Sequence, residues 1–104
     1  MIPDATFIDH LYILLGWRVN IRVEGPSMLP VLSDGDRVVV DPSAKPAKGD
    51  IVVALTDEGE ATLKYWYPEA NRIRLQPANS SMKPIYARDV QVLGVVTGVI
   101  RKVS

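Results

Sequence analysis

The sequence contains six serines, and Ser27 is the one whose neighbours favour a nucleophile. It lies in the hexapeptide Gly25–Pro30 (GPSMLP), directly after a stretch that alternates like a β-strand. Because Gly25 allows close backbone approach and Pro26 restricts φ, such a turn can expose the hydroxyl while nearby backbone N–H groups point at a developing oxyanion. The alternative is a structural serine between two prolines, and the hexapeptide alone does not separate the two interpretations.

A serine becomes a good nucleophile only when a base removes its proton, and Lys64 is the strongest candidate for that base. It lies in the predicted strand Ala61–Tyr67, where alternation places Thr62, Lys64 and Trp66 on one face. Partial desolvation beside an indole and a hydroxyl lowers the pKa of a lysine from about 10.4, so that a neutral amine can accept the proton. The alternative is a surface lysine whose stem lies on Trp66.

The composition excludes several other kinds of site. The 104 residues suffice for one domain, and 12 basic residues balance 12 acidic ones, which gives no general attraction to nucleic acid or anionic membranes. Without cysteine and with His10 as the single histidine, thiol catalysis and multi-histidine metal sites are excluded. No pattern directs His10 at Ser27. We therefore expect no cofactor, no direct nucleic-acid binding, no membrane span and a cytoplasmic location.

A mainly β architecture of short antiparallel strands must position these residues, preceded by one short helix. The helix is predicted from apolar residues at helical spacing and a glycine stop, namely Ile8, Leu11, Tyr12, Leu15 and Gly16. Strands are predicted at Trp17–Val23, Gly35–Val40, Gly49–Ala54, Ala61–Tyr67, Arg72–Gln76, Val90–Thr97 and Val99–Val103. The turn signal Asp57–Glu60 makes Ile51–Thr56 and Ala61–Tyr67 antiparallel neighbours, Pro77–Pro84 is predicted as a loop, and Gly98 separates the last two strands.

Several segments, in order along the chain, resemble the LexA/UmuD family of Ser-Lys peptidases, family S24, which is related to the signal peptidases. Gly25–Pro30 is similar to the family's Gly-x-Ser-Met motif, and the 37-residue separation of Ser27 and Lys64 agrees with its spacing. The other matching segments are Asp34–Val40, Gly49–Ala54, Ala61–Lys64, Leu75–Ile85 and Val92–Ile100. The resemblance implies a LexA-like catalytic domain of the β-clip type.

The resemblance also implies roles for individual residues. Ser27 is expected to be the nucleophile and Lys64 the general base. The oxyanion hole is expected to consist of backbone N–H groups at Ser27 and its neighbours. The residues expected to support this hole or to line the site are Gly25, Pro26, Met28, Thr62 and Trp66.

Family members cut a bond in their own chain upstream of the serine, stimulated by a recombinase filament on single-stranded DNA. The cut inactivates a repressor or activates a polymerase subunit. The resemblance therefore implies a serine endopeptidase linked to the SOS response or to transcriptional repression, with a recombinase filament or a DNA polymerase as partner. We also expect a homodimer, because Val90–Val103 is unusually apolar and an exposed strand edge favours pairing.

The sequence departs from the family pattern in two respects. No Ala-Gly or Cys-Gly pair precedes Ser27, and the 26 residues before it cannot hold a helix-turn-helix unit and a linker. The chain is then an isolated catalytic fragment, a UmuD-like short protein in processed form, or an enzyme whose substrate is another chain. We expect a single peptidase domain over residues 1–104, without a DNA-binding domain, that does not cut itself and can act on a separate chain. Two alternatives stay open: a signal-peptidase-like processing enzyme, which shares the Gly-x-Ser-Met-x-Pro motif, and a catalytically idle dimerisation module.

Overall fold

A computed structural model of the chain describes residues 19–101, which form an antiparallel β-sheet. Its strands are β1 (Val19–Arg22), β2 (Arg37–Asp41), β3 (Ile51–Leu55), β4 (Ala61–Pro68), β5 (Ile73–Gln76), β6 (Ile85–Ala87) and β7 (Gln91–Ile100). Their order in the sheet is β1-β2-β7-β3-β4-β5-β6, and every neighbouring pair is antiparallel. The mainly β prediction is therefore confirmed for these residues. The predicted helix around Leu11 lies outside the described residues. Between residues 19 and 101 no helix is long and apolar enough to cross a membrane.

Two similar Gly-Asp turns precede two interior strands, as the sequence predicts. Gly35 has a φ of +91° and Gly49 a φ of +90°, a backbone conformation that residues with a Cβ rarely adopt. The β-branched runs that follow these turns form β2 and β3. Branched side chains fit the pleated surface of a sheet, which explains why runs of only five residues are sufficient.

The β3–β4 hairpin, which the sequence predicts, places Lys64 in an interior strand. Thr56 N donates to Glu60 O at 2.8 Å and Gly59 N donates to Thr56 O at 2.9 Å, and these two bonds close the turn. Further down the hairpin, Lys64 pairs with Val52. Because β4 also pairs with β5, the strand that carries Lys64 has a neighbour on each side.

The last strand is continuous, which corrects the prediction of two strands separated at Gly98. β7 runs from Gln91 to Ile100 and pairs with both β2 and β3. Gly98 stays in the ladder opposite Val39, and the next pair is Val40 with Val96, so the register shift leaves Thr97 of β7 as the extra residue. A glycine weakens a strand locally but does not end it when the neighbouring strand continues to pair with it.

The strand β6 is a second difference from the sequence-based prediction, which gives no element there. Ile85–Ala87 is too short to show an alternating pattern, and it follows directly after Pro84. It forms three residue pairs with β5 and makes one edge of the sheet, while β1 makes the other edge. The pairing partner, and not the local sequence, therefore defines this strand.

The buried side chains form two clusters, one on each face of the sheet. Along β3, Val53 belongs to the first cluster, whereas Val52 and Ala54 belong to the second, as strand alternation requires. The first cluster also contains Met28, which comes from the loop between β1 and β2 and is 1% exposed. This cluster therefore anchors the residue next to Ser27.

Candidate active site

Ser27 lies in the loop between β1 and β2, and the two ends of this loop are tied together. Val23 N donates to Asp36 O at 2.8 Å, and Gly35 N donates to Val23 O at 2.9 Å. The loop therefore leaves the sheet and returns to it at one place. Met28 is buried in the first cluster, whereas Ser27 itself is half-buried. The serine is thus held at the surface of a packed core.

The residues on both sides of Ser27 form a tight turn. Gly25 has a φ of +82°, which favours glycine, and its N–H donates to Asp34 Oδ1 at 3.0 Å. Leu29 N donates to Pro26 O at 3.1 Å, and this bond closes a four-residue turn around the serine. Gly25 and Pro26 therefore shape the backbone on which the serine hydroxyl is presented.

Lys64 reaches Ser27 from β4 with a buried side chain. The residue is 6% exposed, and its Nζ lies 3.0 Å from Ser27 Oγ. The same nitrogen donates to Thr62 Oγ1 at 2.6 Å and to the carbonyl oxygen of Leu63 at 3.0 Å. These three acceptors are neutral oxygens. The fold thus brings Ser27, Lys64 and Thr62 together from two separate elements.

Trp66, the other residue expected to line the site, lies two positions further along β4. It pairs with Leu75 of β5 and packs, half-buried, against the second cluster. Strand alternation puts Trp66 and Lys64 on the same face, as the sequence indicates. The indole thus has a packing function in the core of this face, and its role in the site stays a prediction.

Two backbone N–H groups at the serine turn, those of Ser27 and Met28, have no acceptor within residues 19–101. Pro26 has no N–H to offer, and the N–H of Leu29 is engaged with Pro26 O. An N–H group without a protein acceptor is available to a substrate oxygen. The turn can therefore present two donors beside the Ser27 hydroxyl.

Asn79 also belongs to this site, although the sequence places it only in the predicted loop Pro77–Pro84. Its Nδ2 donates to Pro26 O at 3.0 Å, and its backbone N donates to Ser27 O at 3.0 Å. The first contact joins residues 53 positions apart, so no local pattern reveals it. The only signal available from the sequence was that Asn79 lies within the family-like segment Leu75–Ile85.

A buried carboxylate stabilises the base of the serine loop. Asp36 is 6% exposed, and its Oδ2 accepts from Ser33 N at 2.9 Å. Arg101 Nε lies 3.0 Å from Oδ1 and 3.1 Å from Oδ2 of the same carboxylate. The hydrogen bond from Arg101, followed by the one from Ser33, lowers the pKa of Asp36 below its usual value. The loop is therefore joined to the residue that follows β7.

A separate cavity of about 340 Å³ lies between the β3–β4 hairpin and β6, and neither Ser27 nor Lys64 lines it. Its walls include Asp57, Glu60 and Tyr86. In the described part of the chain, no group of three or more histidine, cysteine, aspartate or glutamate side chains is arranged to hold a metal ion.

The fold and the contact between Ser27 and Lys64 define the class: a β domain that carries a serine–lysine pair. The family model described as Peptidase S24-like matches residues 18–97. The chain is 44% identical to the LexA repressor of Desulfatibacillum aliphaticivorans, over 98% of this chain and 53% of that protein. It is 48% identical to the LexA repressor of Staphylococcus aureus (strain Newman), over 79% of this chain and 40% of that protein. The chain therefore belongs to the Peptidase S24-like family, as a LexA-like domain, and spans about half the length of the curated relatives it matches.

Proposed function

We propose that this chain is a serine endopeptidase domain in which Ser27 is the nucleophile and Lys64 the general base. The observation that carries the proposal is the 3.0 Å distance between Lys64 Nζ and Ser27 Oγ. At this distance a proton can pass directly from the hydroxyl to the amine. Membership of the Peptidase S24-like family supports the same class of reaction.

The proposed reaction uses the groups at the serine turn in order. The neutral amine of Lys64 accepts the Oγ proton while Ser27 attacks the carbonyl carbon of a peptide bond, whose oxygen becomes negatively charged. The N–H groups of Ser27 and Met28 donate to this oxyanion. The intermediate collapses as the Lys64 ammonium gives its proton to the leaving amine, which produces an acyl-enzyme. Water, deprotonated by Lys64, then hydrolyses the ester and restores Ser27.

The surroundings of Lys64 support its action as a base. An ammonium loses more solvation than a neutral amine when it leaves water, so a residue that is 6% exposed favours the neutral form. Thr62 Oγ1 and Leu63 O lie within hydrogen-bond distance of Nζ and can accept from the two N–H bonds of the amine. In this arrangement the nitrogen lone pair faces Ser27.

The biological context of the proposal comes from the relatives. Both are named LexA repressor, and this chain covers about half or less of each. We infer that the domain is the peptidase part of a transcriptional regulator of the SOS type, and that cleavage changes the state of that regulator. The proposal includes a homodimer, which rests on the apolar segment Val90–Val103. It also includes a recombinase filament as the stimulating partner, which rests on the family resemblance.

The serine–lysine pair is tested by substituting Ser27 and Lys64 singly and together. The chain is incubated with a library of proteome-derived peptides, and new peptide termini are counted by mass spectrometry. Ser27→Ala and Lys64→Ala are each expected to abolish cleavage, and the double variant is expected to be no worse, because the two residues act as one unit. The wild-type rate is expected to rise between pH 7 and pH 9 as the amine loses its proton.

Three outcomes would contradict the proposal. Substantial cleavage by either single variant, with the fold intact, would refute the pair. A wild-type rate that falls between pH 7 and pH 9 would contradict a lysine base. A folded wild-type chain that cuts no peptide at any pH would favour the idle dimerisation module.

A further inference from the structure

Asn79 contacts both carbonyl groups that flank Ser27 in the chain. Its side-chain Nδ2 donates to Pro26 O at 3.0 Å, and its backbone N donates to Ser27 O at 3.0 Å. These two oxygens belong to the two successive peptide groups on either side of the serine Cα. A single residue from the loop between β5 and β6 therefore restrains the backbone on both sides of the nucleophile.

The side-chain amide of Asn79 is itself held in one orientation. Its Oδ1 accepts from Ser81 N at 3.0 Å and from Ser81 Oγ at 2.7 Å. An amide oxygen accepts hydrogen bonds and an amide NH₂ group does not, so these contacts keep Oδ1 on the Ser81 side. Nδ2 consequently faces Pro26 O, which can only accept.

The planarity of the peptide group transmits this restraint to the N–H groups of the turn. In a trans peptide the C=O and N–H bonds point in opposite directions. Among the described residues the only cis peptide is Leu29–Pro30, so both peptide groups that flank Ser27 are trans. With Pro26 C=O directed at Asn79, the N–H of Ser27 points away from it. With Ser27 C=O directed at Asn79, the N–H of Met28 also points away from it.

We propose that Asn79 is a positioning residue that aims the N–H groups of Ser27 and Met28 at the oxyanion. This inference rests on the proposed function and deepens it. The hydrogen bonds from Asn79 to the turn reach the two carbonyl oxygens and not Ser27 Oγ or Lys64 Nζ. Asn79 therefore acts through the backbone of the turn, and the proton transfer from Ser27 to Lys64 does not involve it.

The experiment compares Asn79→Ala with Ser81→Ala, using a fluorophosphonate that labels serine nucleophiles. The phosphonyl oxygen takes the oxyanion position as the bond to Ser27 Oγ forms and fluoride leaves, and labelling is followed by intact mass. Asn79→Ala is expected to lower the maximal labelling rate about 10- to 100-fold. Removing an entire oxyanion donor lowers the rate about 10²- to 10³-fold. The expected loss is smaller here, because the hydrogen bond from the backbone N of residue 79 to Ser27 O remains. The probe concentration at half-maximal rate should change less than about threefold.

The pH profile and the control separate positioning from general stability. The midpoint of the labelling rate against pH should be the same in Asn79→Ala as in wild type, because no contact of Lys64 is altered. Ser81→Ala removes only the hydroxyl donor to Asn79 Oδ1, and the backbone N of residue 81 still holds that oxygen, so this variant should label within about threefold of wild type. A labelling rate of Asn79→Ala within twofold of wild type would overturn the inference. So would a shifted midpoint, or an equal loss in Ser81→Ala.

A measurement on the free protein distinguishes failure of this inference from failure of the proposed function. In ¹⁵N relaxation spectra, the amides of Ser27 and Met28 should become more mobile in Asn79→Ala and stay unchanged in Ser81→Ala. If wild type and Ser27→Ala fail to differ in labelling, the proposed function fails, and the relaxation data alone decide whether Asn79 orders the turn. If wild type labels at Ser27 but neither its labelling nor its amide dynamics depend on Asn79, the inference fails alone.

Discussion

At the scale of single residues, the acceptors around Lys64 determine where its lone pair points. A neutral amine has two N–H bonds and one lone pair. Thr62 Oγ1 at 2.6 Å and the carbonyl oxygen of Leu63 at 3.0 Å can occupy the two N–H bonds. The lone pair is then left for the proton of Ser27, at 3.0 Å. In the proposed mechanism Thr62 therefore orients Lys64 without taking part in the proton transfer.

Replacing Thr62 by valine keeps the shape of the side chain and removes its acceptor. We expect Thr62→Val to lower the rate of Ser27 labelling or peptide cleavage about tenfold, which corresponds to about 1.4 kcal/mol of barrier, because Nζ loses one of the acceptors that orient it. Thr62→Ser is the matched control and should keep most of the rate, since it retains the hydroxyl. A valine variant as fast as the serine variant would show that the hydroxyl does not orient Lys64.

The sequence predicts these residues to very different degrees. Ser27 stands out because of its glycine- and proline-containing turn, and Lys64 because it lies on a recognisable strand at the family spacing. Asn79 does not stand out, because its contact with Pro26 joins residues 53 positions apart through two loops. The direction of a loop side chain depends on the finished fold, and no periodic pattern describes it.

At the scale of elements, Gly94 shows how closely β7 packs against the end of β2. A Cβ added at Gly94 would clash with the side chain of Val40, and would lie 3.1 Å from Asp41 O and 3.2 Å from Pro42 Cα. Two of these neighbours are backbone atoms, which cannot move aside as a flexible side chain can. Gly98, in the same strand, has only Val39 side-chain atoms nearby, at 3.9 Å. Only the first of the two glycines is therefore needed for close approach.

We predict that Gly94→Ala lowers the free energy of unfolding by about 1–3 kcal/mol, the usual cost of forcing extra atoms into a packed site. Gly98→Ala, the control in the same strand, should change the free energy of unfolding by less than about 1 kcal/mol, since the added methyl group would make only normal van der Waals contacts with Val39. Urea denaturation followed by tryptophan fluorescence measures both. Equal stability of the two variants would contradict the close approach at Gly94.

The strands themselves were largely predictable, and their ends and partners were not. β-Branched runs after Gly35 and Gly49 predict β2 and β3 because both run length and residue type agree. The continuity of β7 through Gly98 depends on the neighbouring strand β2, and β6 exists because β5 pairs with it. Such long-range pairing is a tertiary property that a local pattern does not contain.

At the scale of the whole molecule, the ion pair of Asp36 and Arg101 joins the serine loop to the end of the sheet. The folded-state pKa of Asp36 is lowered, first by the hydrogen bond from Arg101. A group with a lowered pKa contributes its stabilisation fully above the unfolded pKa, about 3.9 for aspartate, and loses it as the pH falls through the folded value. Asp36 therefore stabilises the fold at neutral pH and ceases to do so in acid.

We predict that Asp36→Asn is less stable than wild type at pH 7, and that the difference shrinks as the pH falls below about 4. The carboxylate is protonated first in the unfolded chain, and in the folded protein only when the pH reaches the lowered pKa of Asp36. Thermal melts of the two proteins at pH 7, 4 and 2 measure this. Glu69, whose pKa is lowered mainly by Arg72 and Arg74, also stabilises the fold less in acid. Because both proteins contain Glu69, its contribution cancels in the difference between them. A difference in melting temperature that is constant across this range would contradict the role of Asp36.

The exposed end of β7 is the surface on which we expect the homodimer to form. Val99 is 47% exposed and Ile100 is 51% exposed at the last two positions of the strand. Light scattering at tens of micromolar is expected to give twice the 11.5 kDa mass of the chain. Ile100→Lys should shift the protein to the monomer, whereas Ile85→Lys, in the edge strand β6, should not. A wild-type protein that is monomeric at this concentration would rule the dimer out.

The position of β7 in the sheet also determines when, during synthesis of the chain, the proposed peptidase site can form. Ser27 follows β1 in the β1–β2 pair and Lys64 lies in the β3–β4 pair, and among the described strands β7 alone is hydrogen-bonded to both pairs. A ribosome makes residues 91–100 after both halves of the site. While this segment is still in the exit tunnel, no strand joins the two strand pairs. Nothing in the sheet then holds Ser27 and Lys64 at a fixed distance from each other. A growing chain is therefore expected to be unable to cut itself or its neighbours, and the proposed activity is expected only after the ribosome has made β7.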